Sequence, residues 1–191
     1  YALLVELLDA LSHAHAHGVV HRDLKPTNIV VTPGEGPSTR IVDFGIARIF
    51  DVDQGSEPGI EEENVRGTPH FMAPEQILGR WRDQGPWTDL YALGSLAWGL
   101  ATGEPPVDGG DTAEILRQQV RSEPGEFEAR FEVPAAFQGW LRQMVEKSPH
   151  ERFRRAADAA WSLVRIDEQW EGGEREAGGL AEGTEPPAFA E

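Results

Sequence analysis

The sequence predicts an α+β domain that is mainly α-helical, with one small β-hairpin near its start. Three observations lead there. Leu4, Leu7, Leu8, Leu11 and Ala14 recur at helical spacing. Two β-branched runs, Asn28 to Thr32 and Arg40 to Phe44, flank a stretch holding Pro33, Gly34, Gly36 and Pro37. Residues 88–102 are apolar nearly all round, the composition of a helix buried on every side.

The elements follow in order. Residues 1–17 read as a helix, which Gly18 can stop by adopting a left-handed backbone. Val19 to His21 is a short extended segment, and the hairpin comes next. Residues 46–66 have little apolar periodicity and carry Gly55, Pro58 and Gly59, so a long loop is expected. Thr88 is placed to cap the buried helix. Asp111 and Glu114 have capping-box spacing ahead of Ile115 and Leu116. Pro134 can open a helix running through Met144, and Ala156 to Trp170 forms a last one. Beyond Trp170 the composition changes: residues 171–191 hold five Gly, two Pro and six Glu. They cannot bury enough apolar surface to offset chain entropy, so this acidic tail is expected to be disordered. The organisation expected is one domain over residues 1–170 and a tail over 171–191.

A chain of 191 residues is long enough for one proper core. The formal net charge is −16, from 33 acidic and 17 basic residues. Such a surface repels phosphate backbones and anionic lipid, which argues against nucleic acid or a membrane surface as partner. No segment has the length and apolarity of a membrane span. Cysteine is absent, so no disulfide framework or thiolate metal site is available, and a cytoplasmic location fits. The chain opens at Tyr1, already inside an amphipathic pattern and without an initiator Met. A fragment of a longer reading frame is therefore expected.

Three blocks carry chemistry, in this order: HRDLKPTN at His21–Asn28, DFG at Asp43–Gly45 and GTPHFMAPE at Gly67–Glu75. Together they resemble the protein kinase superfamily, whose motif set is a worked example of phosphoryl-transfer chemistry. The resemblance covers roughly residues 1–167 and implies the C-terminal lobe of the kinase fold, its hairpin carrying the catalytic and DFG segments. It implies ATP and Mg2+ as cofactors and a protein substrate. Asp23 would accept or orient the proton of the acceptor hydroxyl, and Lys25 would set a positive charge near the transferring phosphoryl group and the nucleotide. Asn28 and Asp43 offer hard oxygen donors for Mg2+, which takes few protein ligands beside phosphate and water. Val30 would touch the adenine ring. The Thr68 hydroxyl would bond Asp23 and Lys25. A lysine at position 25 and the Gly67-Thr68-Pro69 run point to serine/threonine specificity.

The same resemblance assigns supporting roles. Asp89 would accept hydrogen bonds from the backbone of the catalytic turn. Glu75 would pair with Arg152, and His21 would stack on Phe44. Phe71 stands where tyrosine is more usual. Arg22 and Arg48 would form a basic pocket for an activating group in the loop. Ser56 is the one hydroxyl side chain between Ile46 and Arg66. Glu61 or Glu62 is a candidate to engage those arginines in place of a phosphate, and a solvated acidic loop is the alternative. His13, His15 and His17 alternate, a spacing that spreads them around a helix, so they read as exposed or packing residues and not as metal ligands.

A glycine-rich loop, a strand lysine and its glutamate partner would lie upstream of Tyr1, in an N-terminal lobe. The function expected is transfer of the ATP γ-phosphate to protein Ser or Thr by the intact parent, with the isolated chain inactive and its lobe-facing surface apolar. The alternatives are a truncated kinase-like scaffold or binding module and, disfavoured by Lys25 and the APE block, a small-molecule phosphotransferase.

Overall fold

The computed structural model describes residues 1–32, 38–44 and 69–170. The expected hairpin turn, the loop at 46–66 and the acidic tail lie outside these residues. Helix α1 (Ala2–Ala16) buries Leu4, Leu7, Leu8 and Leu11, and each fully buried leucine contributes about 1.5–3 kcal/mol. The helix stops where Gly18 takes a φ of 76°, returning its N–H to His15 O at 3.0 Å.

A 3-10 turn at Pro26–Asn28 opens on proline, whose missing N–H would have no partner at that position anyway. It leads into β1 (Ile29–Thr32), which pairs antiparallel with β2 (Ser38–Ile41). Ile29 faces Ile41 and Thr32 faces Ser38. The second strand thus starts and ends earlier than its β-branched run. Its start is fixed from outside the hairpin: the Glu6 carboxylate of α1 accepts from Thr39 N at 2.9 Å and Thr39 Oγ1 at 2.8 Å. Its end is set by Asp43, whose φ of 55° turns the chain out of the ladder.

After a short helix α2 (Pro74–Ile77), α3 (Pro86–Thr102) runs through the centre and is buried over nearly its whole length. It begins two residues before the expected cap. Pro86 occupies the first helical position, and Thr88 is the third, reaching back so that its Oγ1 accepts from Gly85 N at 3.0 Å. The threonine caps the helix from inside it. Gly94 lets the next layer come close, since a Cβ there would meet Met144 Cβ at 2.5 Å.

The Asp111 carboxylate caps α4 (Thr112–Arg121) by accepting from Glu114 N at 2.7 Å. Helices α5 (Ala135–Met144) and α6 (Ala156–Gln169) complete the order. Trp140 stacks on Phe137, with centroids 5.8 Å apart. Its indole N–H donates to Ala159 O at 2.9 Å and ties α5 to α6. Helix α1 lies against α6, α3 and β2. No helix among the described residues is long and apolar enough to cross a membrane. The result is a mostly helical body with a two-stranded sheet at one side, and the turn between α1 and β1 sits between them.

Candidate active site

The turn at residues 21–28 has little regular structure of its own, so its shape must come from outside. Asp89 supplies it. The carboxylate is 1% exposed, and its Oδ2 accepts from His21 N at 2.8 Å while Oδ1 accepts from Arg22 N at 2.8 Å. A third donor is His15, whose Nε2–H reaches Oδ2 at 2.7 Å. A buried carboxylate is tolerable only with such partners.

His15 departs from the sequence reading. Beyond an exposed or packing role, it is a partly buried donor to the group that shapes the turn, its side chain 7% exposed. The signal was present: positions 4, 8, 11 and 15 form one helical stripe, and the first three are buried leucines. His13 and His17 lie off that stripe and contact each other, with His17 Nδ1 donating to His13 O at 2.8 Å.

His21 connects the turn to the end of β2. A carbonyl can only accept, so Nε2 carries the proton and donates to Val42 O at 2.9 Å. Nδ1 is then the acceptor for Asp23 N–H at 3.2 Å. The His21 ring sits 4.7 Å from that of Phe44. Val42 N adds one rung to the ladder by donating to Asn28 O at 2.9 Å. Asn28 therefore faces Val42 across the hairpin, with Asp43 next in line. The two positions, fifteen apart in sequence, are neighbours by register.

Lys25 Nζ lies 3.1 Å from Asp23 Oδ2. Asn28 is 5% exposed, and its Nδ2 donates to Asp23 O at 2.8 Å. That commits the nitrogen inward and leaves Oδ1 as the free end of the amide, while Asp43 is exposed. A neutral amide oxygen and a carboxylate at neighbouring register positions are hard donors that would fit Mg2+ and would suit a thiophilic metal poorly. Among the described residues no group of three or more His, Asp or Glu forms a dedicated metal cage. Val30 is 45% exposed on the hairpin, an apolar side chain open to a flat ligand. Arg22 holds a φ of 62°, a left-handed conformation that costs an L-residue about 1–2 kcal/mol. Strain of that kind persists only where surrounding contacts over-determine it.

A small hollow opens between Asp23 and Lys25 on one side and Phe71, Met72 and Gln76 on the other. Its far wall is anchored twice. Gln119 of α4 donates its amide to Pro69 O at 3.2 Å and His70 O at 2.6 Å, and accepts from the Tyr91 hydroxyl. Burial pushes the Tyr91 phenol upward. Lys147 Nζ in turn donates to Tyr91 Oη at 3.2 Å, and burial pushes this lysine down to about 8.

The second anchor is Glu75, 2% exposed, and Arg152, 3% exposed. The guanidinium meets both carboxylate oxygens, at 2.8 Å and 2.9 Å. It also donates to Glu146 O, Trp87 O and Lys147 O. All five of its N–H groups are thereby used. Thr68, Arg48, Ser56, Glu61 and Glu62 lie outside the described residues, as does the last residue of the DFG block. Sequence reasoning missed His15, Gln76, Gln119 and Lys147. Each of the last three reaches a partner fifty or more positions away, with no local pattern to announce it.

Comparison with known proteins gives the arrangement a lineage. The family model described as "Protein kinase domain" matches residues 2–161. The chain is 39% identical over 155 residues to the serine/threonine-protein kinase Pkn1 of Myxococcus xanthus, covering 80% of this chain and 22% of that protein. It is 37% identical over 152 residues to the serine/threonine-protein kinase PkaA of Streptomyces coelicolor, covering 78% and 26%. It is 31% identical over 167 residues to the serine/threonine-protein kinase PknB of Mycolicibacterium smegmatis, covering 87% and 26%. The chain thus spans about a quarter of the length of these relatives. With the family match running from α1 into α6, and with bacterial proteins named serine/threonine-protein kinases aligned over nearly the same span, the chain belongs to the protein kinase domain family.

Proposed function

We propose that this chain is the catalytic-turn half of an enzyme that transfers the ATP γ-phosphate to serine or threonine hydroxyls of a protein. Protein kinases as a family use ATP and Mg2+ and act on proteins. The observation that supports the reading best is the cluster in which Asp23 Oδ2 meets Lys25 Nζ at 3.1 Å and Asn28 holds the Asp23 carbonyl. Bound Mg2+–ATP supplies the phosphoryl group and neutralises its charge. Asp23 takes or orients the proton of the acceptor hydroxyl, a contribution of roughly 10²–10⁴ in rate. Lys25 screens charge that builds on the transferring group and, 3.1 Å from Asp23 Oδ2, helps to aim that carboxylate. Asn28 Oδ1 and the Asp43 carboxylate would hold the metal, and Val30 would pack on the adenine. Thr68 hydrogen-bonds Asp23 and Lys25 from the substrate side.

In this reading residues 1–170 are the C-terminal lobe, the hairpin carries the catalytic and DFG segments, and 171–191 is a tail. The glycine-rich loop and the lysine–glutamate pair that clamp the triphosphate come from an N-terminal lobe outside residues 1–191. Arg22 and Arg48 would receive an activating group from the loop, with Glu61 or Glu62 the candidate in place of a phosphate and a solvated acidic loop the alternative. The work is cytoplasmic, where ATP is.

The test is Mg2+-dependent phosphate transfer to a protein by the two-lobed parent, with Asp23→Asn beside it. Transfer that falls at least a hundredfold in the variant is the expected result. Transfer unaffected by Asp23→Asn overturns the assignment of the base. A two-lobed parent that binds partners but transfers no phosphate supports the alternative, a kinase-like scaffold. The 191-residue chain by itself is expected to be inactive.

A further inference from the structure

Gln76 sits in α2, and both ends of its carboxamide are engaged. Its Oε1 accepts from Ala73 N at 3.0 Å and its Nε2 donates to Arg22 O at 2.7 Å. Both partners are backbone groups of fixed polarity, so the orientation of the amide follows from them.

The bond to Arg22 falls at a decisive place. Arg22 has one peptide plane before it and one after it. The first is held through the Arg22 N–H, which donates to Asp89 Oδ1 at 2.8 Å. The second carries the Arg22 carbonyl at one end and the Asp23 N–H at the other. Gln76 holds the carbonyl, and His21 Nδ1 accepts the N–H at 3.2 Å. Once both planes are fixed, φ and ψ of Arg22 are fixed too, and so is the direction in which Asp23 leaves the turn. Asp89 reaches only the first plane. The left-handed backbone of Arg22 is therefore held by Asp89, by His21 and by a side chain from α2, the helix that Glu75 and Arg152 lock into the body.

We propose that Gln76 is a positioning residue for phosphoryl transfer: it locks the peptide ahead of Asp23 and so aims the Asp23 carboxylate. The catalytic part rests on the function proposed above, whereas the conformational part does not.

Gln76→Glu separates the two bonds. Glutamate keeps an oxygen for the Ala73 N–H but has no hydrogen for the Arg22 carbonyl. Gln76→Ala removes both. In the 191-residue chain, hydrogen exchange of the Arg22 and Asp23 amides is expected to rise about tenfold in Gln76→Glu, with α2 and α3 unchanged. In the two-lobed parent, kcat is expected to fall about tenfold while KM for ATP and protein stays within about twofold. Unchanged exchange at Arg22 and Asp23 in both variants overturns the proposal, whatever the activity does. Equal loosening of residues 73–77 in Gln76→Glu also overturns it, since Gln76 would then only cap α2. Faster exchange in a parent without kinase activity upholds the positioning and removes the function instead.

Discussion

Two carboxylates in this molecule are equally buried and do opposite work. Asp89, at 1% exposure, faces two backbone N–H groups and a histidine, while Glu75, at 2%, faces an arginine. Asp89 spreads its charge over a histidine of α1 and two backbone donors of a turn with little regular structure of its own. Glu75 is neutralised by one residue 77 positions away that also gathers three backbone carbonyls. One carboxylate shapes a loop, and the other holds segments of a body together. Loss of the first should therefore be felt locally and loss of the second globally.

The strongest way to break that contrast is Arg152→Ala. It leaves Glu75 ionised in the interior, and the expected loss is about 3–5 kcal/mol of unfolding free energy in urea. A Glu75→Met, Arg152→Met double variant should lose less than Arg152→Ala alone, because no buried charge remains. An equal or larger loss would show that the fork matters as more than charge compensation.

Asp89→Asn comes next. Asparagine has one acceptor oxygen, so one of the two turn amides would meet an NH2 group. About 2–3 kcal/mol is expected, concentrated as faster hydrogen exchange at residues 21–25. His15→Ala should cost about 1 kcal/mol in the same assay and loosen the same residues. Loosening spread evenly over α3 in either variant would erase the local-versus-global distinction.

The smallest effect is a pH dependence. Lys147 titrates near 8 in the folded chain against an ordinary 10.5. The unfolded chain thus binds more protons than the folded one between those values. Stability gains a contribution as pH rises from about 8 to 10.5, and that contribution is missing below 8. The lysine is partly exposed, which screens the effect. Urea midpoints for the native chain and Lys147→Met should converge toward high pH, with the methionine variant the more stable near neutrality. Parallel curves would show that Lys147 keeps an ordinary proton affinity.

How much of this was legible in the sequence depended on the range of the interaction. The leucine stripe of α1 and the Asp111 cap of α4 are set by neighbours three or four positions away, and both could be read. The start of α3 could not, because Thr88 caps backward and Pro86 sets the first turn. The end of β2 could not either, because the left-handed backbone of Asp43 is imposed by its setting and a β-branched run does not reveal it. The three motif blocks were visible as blocks. What aims them was not, since Gln76 reaches Arg22 across 54 positions. His15 is the intermediate case: its stripe was readable, and its partner, 74 residues on, was not.

The Glu75–Arg152 fork also sets a schedule for synthesis. Glu75 emerges from a ribosome 77 residues ahead of its counter-ion, a wait of about 4–15 s at common elongation rates. Until residue 152 is out, α2 cannot close over its own carboxylate, and neither α3 nor the turn at residues 21–28 has a finished wall to fold against. A nascent chain stalled or cut before that arginine should stay open to proteases and chaperones, however complete its motif blocks already are.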